Sequence, residues 1–160
     1  MQVVKIEGDK IENITRLVAK SVFSSGFFVQ SFCLHNVGYV KFDKKPFASK
    51  QEEFSDFLLV MNSVQSLQET LKHAKEKSVV IVNVKDKPKS PIAVKRRLKI
   101  YNLDATQVAL NTVRKPSLDA PMLGALVKVC DKITLKAAKS ALGMEKELHM
   151  AVDEGIRSVK

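Results

Sequence analysis

Two kinds of hydrophobic pattern alternate along this chain, and their order predicts its architecture. Val3, Val4 and Ile6 form a short apolar run that ends at the turn Glu7-Gly8-Asp9. From there Ile11, Ile14, Leu17, Val18 and Val22 recur at helical spacing, a single apolar stripe that stops at Ser24-Ser25-Gly26. Residues 27–32 and 38–42 read as two further strands, and Asp43-Lys44-Lys45-Pro46 turns the chain. Phe57-Leu58-Leu59-Val60-Met61 is apolar throughout, as expected of a strand buried on both faces. Asn62-Ser63 then suits the cap of a helix carrying Val64, Leu67, Leu71 and Ala74.

Val79 to Val82 predicts another buried strand ending at Asn83, and after a Pro- and Lys-rich loop Leu98 to Tyr101 predicts the last one. Asp104-Ala105-Thr106 opens a helix. The final third is helical: residues 122–130 behind Pro121, residues 134–142 stopped by Gly143, and a last helix burying Leu148, Ala151, Val152, Ile156 and Val159. Gly124, Ala125 and Gly155 on these stripes predict close helix approach. Alternation of this kind predicts an α/β fold with a mostly parallel, Rossmann-like sheet flanked by helices.

Composition narrows the picture. A chain of 160 residues predicts one domain, residues 1–160, with a sizeable core. No apolar run approaches the roughly 20 residues of a membrane helix, and the N-terminus lacks the apolar core of a secretory signal, so a cytoplasmic protein is expected. Cys33 and Cys130 stand far apart, too few for an iron–sulfur site; Cys130, beside Leu123, Leu126 and Val127, reads as a small buried hydrophobe. His35, His73 and His149 have no metal-ligand spacing, and no nucleophile elbow, P-loop or carboxylate pair is present. By itself the chain does not read as an enzyme, and neither a catalytic nor a metal site is predicted.

Open parallel sheets bind ligands outside the carboxyl ends of their strands. The candidate cofactor-binding residues are therefore Gly8, Asn62, Asn83, Asp104 and Thr106. The turn around Gly8 carries Glu7, Asp9 and Glu12, negative charge where a phosphate needs amides, so phosphate is not expected there.

The order of motifs adds a resemblance. Leu98-Lys99-Ile100-Tyr101-Asn102-Leu103 runs into Asp104-Ala105-Thr106, then Ala120-Pro121-Met122-Leu123-Gly124-Ala125-Leu126 and Ile133-Thr134-Leu135-Lys136-Ala137-Ala138 follow. This succession resembles the gamma subunits of the 2-oxoacid (pyruvate/ketoisovalerate):ferredoxin oxidoreductases, with their Ala-Thr helix start and Leu-Gly-Ala-Leu motif, over nearly the whole chain. Two loops depart from the family. Its Gly-x-Gly-Gly-Gln-Gly turn is reduced here to Gly8, and of its Ser-Tyr-Gly-x-Glu-x-Arg-Gly-Gly segment only Ser31 and Gly38 can be matched.

The resemblance implies an accessory subunit that packs against thiamine-binding and ferredoxin-like subunits without carrying redox centres. The complex would decarboxylate a 2-oxoacid oxidatively to an acyl-CoA, using thiamine diphosphate, iron–sulfur clusters and coenzyme A. No cofactor is expected on this chain alone. The alternative is a free-standing Rossmann-like module binding an anionic metabolite or nucleotide. Self-association is open in either case.

Charge adds a second candidate surface. The protein is basic, net +10, and Lys85, Lys87, Lys89, Lys95, Arg96, Arg97 and Lys99 crowd one segment against Asp86 alone. A solvated loop and an electrostatic dock for an acidic partner both fit; a nucleic-acid patch lacks interleaved aromatics and is not expected. Ser31, Gly38, Arg96 and Arg97 are the candidate partner-binding residues.

Overall fold

The computed structural model describes residues 1–48, 54–62 and 67–160. Its six strands are β1 (Gln2–Glu7), β2 (Phe28–Leu34), β3 (Val37–Asp43), β4 (Ser55–Val60), β5 (Ala74–Asn83) and β6 (Lys99–Leu103). They form one sheet in the order β2-β3-β1-β4-β5-β6. β1, β4, β5 and β6 run parallel, while β3 pairs antiparallel with both β1 and β2. The parallel half follows the predicted strand–helix alternation. The hairpin follows from the two-residue connection His35-Asn36, too short for anything but antiparallel neighbours.

The helices are α1 (Glu12–Ser24), α2 (Leu67–Leu71), α3 (Pro91–Lys95), α4 (Ala105–Thr112), α5 (Asp119–Val129), α6 (Leu135–Ala141) and α7 (Lys146–Ser158). Strand alternation divides the core in two. Val4, Ile6, Val40, Phe42, Leu59 and Ile81 pack against α1, α4, α5 and α6 on one face. Leu58, Val60, Val80, Val82 and Ile100 meet α2 and α3 on the other. The run 57–61 therefore supplies apolar side chains to both faces, as its composition predicts. Cys130 lies in the first of these cores, and burial pushes its thiol up from the ordinary range. The exposed Cys33 is expected to be the one thiol a soluble reagent alkylates quickly in the native protein, with Cys130 following only on unfolding. Two fast thiols in a timed alkylation assay would contradict the packing around Cys130.

Two local expectations are corrected. Ala74 opens β5 instead of continuing a helix, and His73 sits in the turn before it. The Ser55 N–H donates to the His73 carbonyl at 3.1 Å, and Ser55 pairs with Ala74, so pairing to β4 overrides the helical period. The Pro- and Lys-rich segment contains α3, where the Ser90 hydroxyl accepts from the Ala93 N–H and Pro91 occupies the first turn. Ser-Pro at a helix start is a readable signal, masked here by the run of charge. Ser63 and Val64 lie outside the described residues.

Candidate functional site

The strand ends do converge, and their side chains are spent on one another. Asn62, just beyond β4, accepts from the Asp9 N–H and donates to the Asp9 carboxylate, both at 2.8 Å. That clamp fastens the β1–α1 turn to β4. Gly8 makes room for it: its φ is +148°, and a Cβ there would collide with the Asn62 side-chain oxygen and lie 2.8 Å from the Met61 Cβ. The Gly8 N–H donates to the Asn36 carbonyl at 3.1 Å, which ties the tip of the β2–β3 hairpin to the same corner.

Asn83, at the end of β5, does the equivalent on the other side. Its amide donates to the Met61 carbonyl at 2.9 Å and its oxygen accepts from the Ala105 N–H at 2.9 Å. Three strand ends are thereby held through one side chain. Asp104 caps α4 by accepting from the Gln107 N–H at 2.9 Å, and Thr106 stands beside Asn83. The Gly8 and Asp9 amides of the β1–α1 turn are already engaged, and Glu7 adds a carboxylate bonded to Lys5 and Thr70. The turn after β1 does not fit an anionic cofactor group. Among the described residues, no three His, Cys, Asp or Glu side chains gather as metal ligands.

The four candidate partner residues fall in different places. Ser31 is exposed on β2, an edge strand, in a shallow groove against α1. Gly38 is buried in β3 beneath α1, where a Cβ would collide with the Thr15 hydroxyl. Arg96 donates to the Ala74 carbonyl at 2.7 Å and lies over the Phe54 ring, bracing the start of β5. Arg97 instead lines an open groove beside β6.

Sequence reasoning missed the most conspicuous surface. Phe28, Phe32 and Leu34 share the side of β2 turned away from α1, exposed by 50%, 41% and 57%. The alternation Phe28-x-x-x-Phe32-x-Leu34 was a signal, but it reads equally as a buried face. Only the strand's place at the sheet edge makes it a surface. The hairpin tip brings Leu34 to the same end of the sheet as the braced strand ends, while Phe28 lies at the opposite end.

Comparison with known proteins matches the fold and the order of its elements. A pyruvate oxidoreductase subunit from Thermotoga maritima superposes with a TM-score of 0.78 at 18% identity, over 99% of this chain and 97% of its own. The gamma subunit of a keto/oxoacid ferredoxin oxidoreductase from Geobacter sulfurreducens gives 0.75 at 15% identity, over 98% of this chain and 97% of its own. The 2-oxoglutarate:ferredoxin oxidoreductase of Magnetococcus marinus, solved with 2-oxoglutarate, coenzyme A and succinyl-CoA bound, gives 0.78 at 17%, matching 96% of this chain to 30% of that one. In sequence, the pyruvate/ketoisovalerate oxidoreductases common subunit gamma of Pyrococcus abyssi is 28% identical over 141 residues, 79% of this chain and 75% of its own. The family model for pyruvate ferredoxin/flavodoxin oxidoreductase matches residues 8–153. The chain belongs to the pyruvate ferredoxin/flavodoxin oxidoreductase family.

Proposed function

We propose that this chain, residues 1–160 as one gamma-type unit, is the accessory subunit of a cytoplasmic 2-oxoacid:acceptor oxidoreductase. It supports oxidative decarboxylation of a 2-oxoacid to an acyl-CoA, while thiamine diphosphate, iron–sulfur clusters and coenzyme A are held mainly by other subunits. The observation that carries this reading is the apolar edge of β2. Phe28, Phe32 and Leu34 form an exposed patch that a self-sufficient soluble module has no reason to keep. Ser31 lies in the same strand. Gly8, Asn62, Asn83, Asp104 and Thr106 then act as a rigid wall of the composite site, presenting a braced surface in place of ligating side chains.

The test is an affinity pull-down of tagged chain from its own cells, compared with the variant Phe28→Thr/Leu34→Thr. Threonine keeps the strand propensity and removes the apolar surface. The unaltered chain is expected to recover thiamine-binding and ferredoxin-like subunits in fixed proportion. The variant should lose them with its Tm within about 2 °C of the parent. Recovery of the unaltered chain alone, or tight binding of coenzyme A or a nucleotide to the isolated protein, would favour the free-standing binding module instead.

A further inference from the structure

The opposite edge of the sheet carries a second, chemically different surface. β6 is an edge strand, bonded to β5 on one side only. On its open side the Asn102 N–H donates to the Lys160 carbonyl at 2.9 Å and the Lys160 N–H donates back to the Asn102 carbonyl at 3.0 Å. The edge thus already accepts one short stretch of extended backbone. Strand alternation turns the amide and carbonyl of Ile100 to that same open side, two residues further along.

A groove of about 1050 Å³ lies beside this stretch, between β6 and the segment that leads into α3. Pro88, Val94, Leu98 and Tyr101 supply apolar lining, with Val94 exposed by 79%. The charged side chains that line it are all basic: Lys87, Lys89, Arg97, Lys99 and Lys160. Among the described residues none of these five forms an ion pair.

We propose that this groove takes an extended segment of a partner polypeptide in which apolar residues alternate with Asp or Glu. The segment adds to the free side of β6 by main-chain hydrogen bonds at Ile100. Its apolar side chains sit on Val94 and Leu98, and its carboxylates meet the basic lining. Strand addition supplies affinity through the backbone and specificity through alternate side chains. The basic lining rejects segments of like charge and speeds encounter with acidic ones. A nucleic-acid strand fits less well, because stacking needs a row of aromatic faces and the groove offers Tyr101 alone. This inference is independent of the oxidoreductase assignment, since it concerns the edge farthest from β2.

The test uses the full chain and a fluorescein-labelled peptide of alternating Val and Glu, followed by anisotropy. Saturable binding is expected, weakened roughly tenfold by the loop variant Lys87→Glu/Lys89→Glu. Raising the salt from about 0.05 to 0.5 M should weaken it similarly. The same peptide N-methylated on its pairing amides should fail to bind, and hydrogen exchange at the Ile100 amide should slow when the unmodified peptide is present. Absence of saturable binding, equal binding of the N-methylated peptide, or tighter binding of a single-stranded oligonucleotide would each overturn the proposal.

Discussion

Replacing Gly124 by alanine is expected to lower the Tm by about 4–8 °C, because α5 and α7 touch backbone to backbone at that point. A Cβ on Gly124 would collide with the Val152 carbonyl oxygen and lie 3.0 Å from its carbon and 3.1 Å from its Cα. The contact is reciprocal. A Cβ on Gly155 of α7 would collide with the Pro121 carbonyl oxygen of α5, 3.0 Å from its carbon and Cα. Alanine is the better helix former by about 1 kcal/mol, so propensity alone predicts stabilisation. Overpacking against rigid backbone costs about 3 kcal/mol, the upper end of the usual range, and it decides the sign.

The double variant Gly124→Ala/Gly155→Ala should cost less than the sum of the two, since the helix displacement forced by one methyl makes room for the other. Differential scanning calorimetry of the three proteins checks both statements. A Gly124→Ala protein melting within about 2 °C of the parent would mean the helices do not meet there.

The second large effect concerns a charge pair under the sheet. Lys5, in the middle of β1, is 5% exposed, and its ammonium lies 2.5 Å from the Glu7 carboxylate. The Thr70 hydroxyl donates to the other Glu7 oxygen at 2.5 Å, and the Tyr39 ring stands 5.9 Å from the ammonium. Glu7→Gln keeps the shape and leaves Lys5 without its counter-charge in a site with little water. Removing one partner of a buried pair costs about 3 kcal/mol, about 6–12 °C in Tm for a chain of this length.

The diagnostic is rescue. Adding Lys5→Met to Glu7→Gln removes the stranded charge and should recover most of the loss, because a buried pair is worth little against apolar residues of similar volume. If Glu7→Gln alone shifts the Tm by less than about 2 °C, the Lys5 ammonium reaches solvent and the pair behaves as a surface one.

Much of this architecture was legible from periodicity. The stripe Ile11, Ile14, Leu17, Val18, Val22 became the buried side of α1, and the apolar run 57–61 became a strand covered on both faces. Gly124 and Gly155 on the helical stripes already mark the close approach of α5 and α7. Where the reading erred, at Ala74, the local helical period competed with a pairing partner, Ser55, that no local window contains. The strand ends were located correctly as a group, but their hydrogen-bond partners were not. The Asn62 clamp to Asp9 joins residues 53 apart in sequence, and Asn83 holds Met61 and Ala105, each 22 away.

By itself, then, the sequence determined the class of fold, the order of strands and helices, the buried cysteine and the family resemblance. These rest on local spacing and on motifs met in order along one dimension. Only the tertiary structure decided which strands lie at the edges, and therefore that Phe28, Phe32 and Leu34 face solvent while Leu58 and Val60, no more apolar, do not. It also separated Arg96, turned inward onto the Ala74 carbonyl, from its neighbour Arg97, which opens onto the β6 groove. Exposure and partner choice are set by what packs across the sheet, and that depends on contacts between segments far apart in the chain.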